Sequence, residues 1–423
     1  MTAAALTSPA ALARTVTTVR TGDPGALLDR LPTGNALSWV RHGEGLVGWG
    51  EAARLEVSGP GALAEAAGWW ADVMADLDVH DEIGTAGSGP VLFASIAFDP
   101  AAGTSVFVVP EITVGRRNGV GWVTTVGDLD PRDVADRPGS APGDAPPLRL
   151  RYADGALDPA TWSAAVATAV ERIGSGELAK VVLARDLLVS ADVPLDPRLL
   201  LRRLADRFPD CWTFAVDGLL GATPELLLRR SGRQLSARVL AGTAPRGAGA
   251  DDERLAAALL GSAKDRAEHA LAVDSFVRAL QPYCTELEAP DEPGLLTLAN
   301  VRHLASDVTG TQRRRGARGR ADLLELVGAV HPTAAVCGTP TEDAAAVIAE
   351  LEGMDRGRYA GPVGWIDARG DGEFGLALRC AELVGEDGAR LFAGCGIVAG
   401  SDPAAELAET QSKFAAFQAA LEG

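Results

Sequence analysis

Apolar and polar positions change period many times along this chain. Period-two alternation predicts strands over residues 39–49, 91–98, 105–109, 120–126, 180–189, 295–308, 364–368, 373–383 and 389–392, with a run of strands across 213–241. Apolar spacings of three and four predict helices over 63–77, 161–173, 195–207, 262–280 and 322–330, and another ending at 351. Asn118-Gly119, Asp371-Gly372 and Asp387-Gly388 stand between alternating runs and mark hairpins. Asp402 and Pro403 open a last helix, with the aspartate as cap and the proline at the first helical position. Residues 1–125 read as α+β with no chemistry of their own. Residues 127–148, rich in Pro, Gly and Asp, read as a flexible connection. That divides the chain into an N-terminal part, 1–150, and a part carrying the chemistry, 151–423.

The 423 residues are 47% apolar, enough for a sizeable core. A net charge of −18 argues against nucleic acid or a membrane surface as partner. Any anionic ligand must therefore find its positive contacts inside a cleft. The short arginine-rich loop at 309–320 lacks aromatics and reads as solvated. Five cysteines without a CxxC pair suit reduced thiols in the cytoplasm. No apolar run reaches membrane-spanning length, the N-terminus lacks the pattern of a signal peptide, and no repeat is visible. With no apolar seam in view, a monomer is expected.

Several polar residues sit where apolar ones are the rule. Alternation puts Lys180 on one strand face with Val182 and Ala184, although a strand-end lysine in water has the same pattern. Glu225 stands in a Gly-Ala-Thr-Pro-Glu turn between apolar strands, as a cap or a partly buried acid. Gly242-Thr243 ends a strand and offers backbone N–H groups. Asp265 and Glu268 are three apart on one helix, and Glu406 and Glu409 repeat the spacing on another, with Lys413 four further on. Ordinary helix electrostatics would account for either acidic pair. Face to face, the two pairs would repel unless a divalent cation lay between them, and oxygen-only ligands favour Mg²⁺. Arg379 and the glycines of Gly394-Cys395-Gly396 offer an anion site.

Taken together, the segments GELAKVVLAR, GATPELLL, LAGTAPRG, KDRAEH, HPTAAVCGTP, YAGPVGWIDARGDGEFGLALRCAEL and LFAGCGIVAGSDPAAELAET, followed by Lys413, resemble the chorismate-utilising enzymes, the isochorismate synthases most closely. The likeness spans about residues 155–422, in the family's order. It implies one α+β fold, two antiparallel sheets in a sandwich flanked by helices, to which the N-terminal part adds strands. It implies chorismate as substrate and water addition at C2 with loss of the C4 hydroxyl. Lys180 matches the water-activating base and Glu225 the acid that protonates the departing hydroxyl. Burial beside Val182 and Ala184 would help Lys180 give up its proton, and Glu225 needs the opposite bias. Glu268 and Glu409 match Mg²⁺ ligands, with Asp265 and Glu406 standing behind them or acting through water. Gly242, Thr243 and Lys413 match the ring-carboxylate site. Arg379 with the N–H groups of Gly394 and Gly396 matches the enolpyruvyl-carboxylate site. His331 and Tyr359 match pocket-lining residues.

Among similar enzymes, anthranilate synthases carry glutamine where Lys180 stands, and aminodeoxychorismate synthases carry lysine where Ala241 stands. Salicylate synthases, which go on to eliminate pyruvate, keep the base lysine and are compatible with Tyr359. They tend to place a hydroxyl where Ala335 and Val336 are apolar. A silent chorismate-binding protein would not need both Lys180 and Glu225. A carboxylate-pair hydrolase would leave Lys180, Arg379 and the glycines idle. Isochorismate synthesis is the expected activity.

Overall fold

The computed structural model describes residues 15–137, 139, 142–143, 148–298, 301–314 and 321–423. The N-terminus, part of the 127–148 connection and residues 315–320 of the arginine-rich loop lie outside the described residues, although Pro131–Ala135 forms a short helix and 309–312 end the strand Val301–Gln312.

Two sheets, of 13 and 10 strands, dominate. The first runs from Leu150–Asp154 and Lys180–Ala191 through Gly388–Ile397, Cys380–Val384, Leu219–Thr223 and Trp212–Val216 into strands of the first 126 residues. The second runs from Cys284–Glu288 through Val301–Gln312, Gln234–Pro245, Leu226–Ser231, Gly372–Leu376 and Pro362–Asp367 to Val91–Ser95, Ser105–Val109 and Ala53–Val57. The first third of the chain thus supplies strands to both. The ladders are antiparallel except one, where Thr15–Thr21 and Asp78–Asp81 pair in parallel at an edge.

Trp39, Leu46, Trp122 and Phe214 of the first sheet share a buried cluster with Phe93, Phe107, Trp365 and Phe374 of the second. The sheets therefore face each other across it. Burying one such side chain contributes about 1.5–3 kcal/mol. A second cluster joins Leu220 and Leu391 to Leu201, Leu204, Phe414 and Phe417 of the helices Pro197–Arg207 and Pro403–Glu422.

Three predicted strands are each two strands. The 39–49 run is the hairpin Leu37–Arg41 and Glu44–Trp49, turned by His42 and Gly43, which both have positive φ. The 295–308 run is Gly294–Thr297 paired with Val301–Gln312. The 373–383 run breaks at Arg379, whose φ is 49°. Gly372–Leu376 before it belongs to the second sheet and Cys380–Val384 after it to the first. Glu225 marks another crossing, between Leu219–Thr223 of the first sheet and Leu226–Ser231 of the second. Both side chains are therefore delivered to the seam where the sheets meet.

Candidate active site

A cleft of about 1020 Å³, its mouth included, opens at this seam. Glu225, Gly242, Thr243, Asp265, Glu268, Tyr359, Arg379, Gly394, Gly396, Glu406, Glu409 and Lys413 border it. Residues spread over nearly two hundred positions of sequence thus meet in one place.

The helix Ala263–Leu280, capped by the Ser262 hydroxyl on the Asp265 N–H, brings Asp265 and Glu268. The helix Pro403–Glu422, capped by Asp402 as its sequence predicts, brings Glu406, Glu409 and Lys413. A register shift between Ala241 and Thr243 puts Gly242, with φ 81°, at a bulge facing the first helix. A Cβ on Gly242 would lie 3.2 Å from that of Asp265.

Lys180 is 1% exposed. Val182 borders the cleft, whereas the Lys180 ammonium sits behind its wall, 2.9 Å from Glu268 Oε1. Gly396 makes this possible: a Cβ there would approach Glu268 Oε1 to 2.6 Å and Lys180 Cε to 3.0 Å. Glu225 is also buried, and burial pushes its carboxyl up from 4.5 to about 8, against the opposing pull of the Leu240 N–H and the Lys180, Arg379 and Lys413 charges. The group therefore holds a proton at neutral pH.

The far side of the cleft carries donors that suit an anion. Arg379 is half-buried, and its Nη1, itself buried, has no hydrogen-bond partner among the described residues. Its Nη2 donates to His303 Nε2 at 2.6 Å. That imidazole is then the neutral tautomer, with Nδ1–H donating to Thr243 Oγ1 at 3.0 Å. Burial, then the Arg379 charge, holds His303 well below the usual imidazole range. Lys413 donates to the Gly394 carbonyl and to Glu409 Oε1, both at 2.7 Å. Burial alone would lower Lys413, but Glu409 outweighs it and the ammonium is raised.

The glycine N–H groups follow from sheet geometry. Val182 pairs with Gly396 and Ala184 with Gly394. The N–H and C=O of Val182 bond to Cys337 and Arg356, and those of Ala184 to Glu352 and Trp162, all on the outer edge. These are consequently non-hydrogen-bonded pairs, so the N–H groups of Gly394 and Gly396 point the opposite way. The neighbouring Cys380–Val384 ladder has already ended at Leu391. The two N–H groups thus face an unpaired edge beside the cleft.

Tyr359 stacks on Phe392 at 4.9 Å and closes the floor. His331 does not border the cleft. Its Nε2–H donates to the Phe98 carbonyl at 2.9 Å, and burial pushes the ring down to about 4. It packs edge-on against Phe98, which in turn lies under Arg356.

A family model described as chorismate binding enzyme matches residues 2–422. The chain belongs to the chorismate-binding enzymes. A Mycobacterium tuberculosis protein provisionally named isochorismate synthase MenF is 40% identical over 353 residues, covering 79% of this chain and 87% of its own. The Bacillus subtilis isochorismate synthase DhbC is 42% identical over 269 residues, 61% of this chain and 66% of that protein. The solved structure of MenF, the menaquinone-specific isochorismate synthase of Escherichia coli, superposes with a TM-score of 0.79 at 25% identity, covering 96% of this chain and 94% of that one.

The acidic residues of this chorismate-binding enzyme suit a hard cation by their chemistry. All four are carboxylates on two helices bordering one cleft. Burial first, with the neighbouring Glu409 charge, raises Glu406 against the opposing pull of the Ser401 hydrogen bond and the Lys264 charge. They do not form a closed cage: no three His, Cys, Asp or Glu among the described residues gather around one point. Glu268 and Glu409 are each ion-paired to a lysine. A cation here would complete its shell with water and substrate oxygens, as Mg²⁺ does.

Sequence reasoning missed His303 and Arg356, which both border the cleft. His303 is the direct cross-strand partner of Thr243. The Gln234–Pro245 and Val301–Gln312 register, once known, points straight to it.

Proposed function

We propose that this enzyme converts chorismate to isochorismate. The observation that carries the reading is a buried carboxyl, Glu225, pushed up to about 8 by its burial, in a cleft backed by a buried lysine. For the water addition Lys180 acts as the free amine, its ammonium proton having first passed to Glu268 or solvent: Nζ takes a proton from the water, whose oxygen bonds to C2. Glu225 gives its proton to the hydroxyl leaving C4. An acid and a base of this kind contribute typically 10²–10⁴-fold each.

The unpartnered Arg379 Nη1, with the Gly394 and Gly396 N–H groups, suits the enolpyruvyl carboxylate. Thr243 and Lys413 suit the ring carboxylate. Glu268 and Glu409 would hold Mg²⁺, with Asp265 and Glu406 acting through water. When bound, the cation supplies positive charge against the ring carboxylate. The names of the relatives support isochorismate as product, and Ala335 and Val336 put no hydroxyl at their own places on the pocket wall. All five cysteines are buried and unpaired, which supports a cytoplasmic enzyme. No described helix is long and apolar enough to cross a membrane.

The test is product analysis. The purified chain is incubated with chorismate and Mg²⁺, and the products are separated. Isochorismate without pyruvate is expected. Salicylate with pyruvate, or no conversion, would refute the assignment.

A further inference from the structure

The outer edge of the Lys180 strand has a gap. Leu150–Asp154 covers residues 187–191, and the two-residue strand Gly338–Thr339 covers 180–181. Between them no described strand takes up the outward groups: the Val182 N–H goes to the Cys337 carbonyl and the Ala184 carbonyl to the Trp162 indole, which leaves the Val182 carbonyl and the Ala184 N–H. An ion pair stands there instead. Arg356 is 4% exposed and Glu352 1%. Arg356 Nε donates to Glu352 Oε2 at 2.8 Å, and Nη2 donates to Glu352 Oε1. The same guanidinium donates through Nη2 to the Val182 carbonyl and through Nη1 to the Val336 carbonyl, each at 2.8 Å. Glu352 Oε1 accepts the Ala184 N–H at 2.8 Å.

Burying two charges is costly, and such a pair often contributes little net stability. This one is placed where geometry matters. It grips Val182, two residues from Lys180, and Val336 on the cleft wall. Val182 and Ala184 lie opposite Gly396 and Gly394. We propose that Glu352 and Arg356 are positioning residues: the ion pair takes the place of a missing strand and fixes the Lys180 strand against the glycine strand and the Val336 wall. The role for Lys180 in turnover rests on the function proposed above; the hold on the strand does not.

The test is Arg356→Lys, which keeps the charge and loses the fork. Amide exchange over residues 180–184 is read by mass spectrometry, and kcat and KM for chorismate are measured on the same samples. Exchange should quicken at least about tenfold in this segment. The kcat should fall about 10- to 100-fold, with KM within about threefold, as expected when a reacting group is misplaced. Unchanged exchange overturns the hold on the strand. Quickened exchange with unchanged kcat, or a loss confined to KM, overturns the positioning role. If Arg356→Lys does not fold, Glu352→Gln carries the same readouts and is judged in the same way. Wild-type protein that leaves chorismate unconverted would refute the activity alone, and the exchange measurement would still decide the pair.

Discussion

The Lys180 ammonium lies 2.9 Å from Glu268 Oε1, with the lysine side chain 1% and the glutamate 12% exposed. A proposed base and a proposed cation ligand therefore hold each other before substrate arrives. Lys180→Met should lower turnover by about 10²–10⁴-fold. It should also destabilise the fold by about 3–5 kcal/mol, because Glu268 is left without its partner. Adding Glu268→Gln to Lys180→Met should recover most of the lost melting temperature and none of the turnover. Thermal denaturation and initial rates on the same samples check both. Wild-type rates in Lys180→Met would remove the base assignment.

On the proposed function, Glu225 should set the alkaline side of the pH profile. Its carboxyl is raised by burial to about 8, so the proton-donating form is present below that pH and lost above it. The kcat/KM for chorismate should therefore fall as pH rises through about 8. Stability carries the same sign: the contribution of Glu225 is full below the ordinary carboxyl value of 4.5 and is lost as pH rises through about 8. Glu225→Gln should cut turnover about 10²–10⁴-fold and flatten that limb. A pH–rate series on both proteins decides this; a limb that persists unchanged in Glu225→Gln belongs to another group.

Arg379 presents one guanidinium nitrogen to His303 and leaves the other, buried, without a partner. A charge-assisted hydrogen bond contributes about 1.5–3 kcal/mol, which corresponds to roughly 10- to 150-fold. Arg379→Lys should accordingly raise KM for chorismate about tenfold or more. A KM within twofold of wild type would place the enolpyruvyl carboxylate elsewhere.

Much of this site is local in sequence and was legible there. The Asp402-Pro403 cap, the acidic pairs at helical spacing and the hairpin signals at Asp371-Gly372 and Asp387-Gly388 all depend on neighbours a few residues away. What depends on long-range register was not. Alternation reports that a residue is extended, not which sheet it joins, so the break at Arg379 was hidden within one apparent strand. His303 meets Thr243 across 60 residues, and Glu352 meets Ala184 across 168. His331 was assigned to the pocket by resemblance; its ring instead supports Phe98 one layer behind.

Removal of metal should be decisive for the acidic wall. If Glu268 and Glu409 hold the cation as proposed, EDTA should abolish turnover and Mg²⁺ should restore it, because without a cation these carboxylates would repel the ring carboxylate. Glu409→Gln should weaken the restoration, read as a rise of at least about tenfold in the Mg²⁺ concentration needed for half-maximal rate. Full activity in EDTA would exclude the metal role.

The central claim is that solvent water, activated at Lys180, becomes the new hydroxyl as the old one leaves with a proton from Glu225. Turnover of chorismate in ¹⁸O-labelled water, followed by mass spectrometry of the product, tests it most directly. One ¹⁸O atom in each isochorismate, carried at C2, is expected. Isochorismate formed without label would mean that the C4 hydroxyl itself migrates, and would contradict the assignment of Lys180 as base and Glu225 as acid.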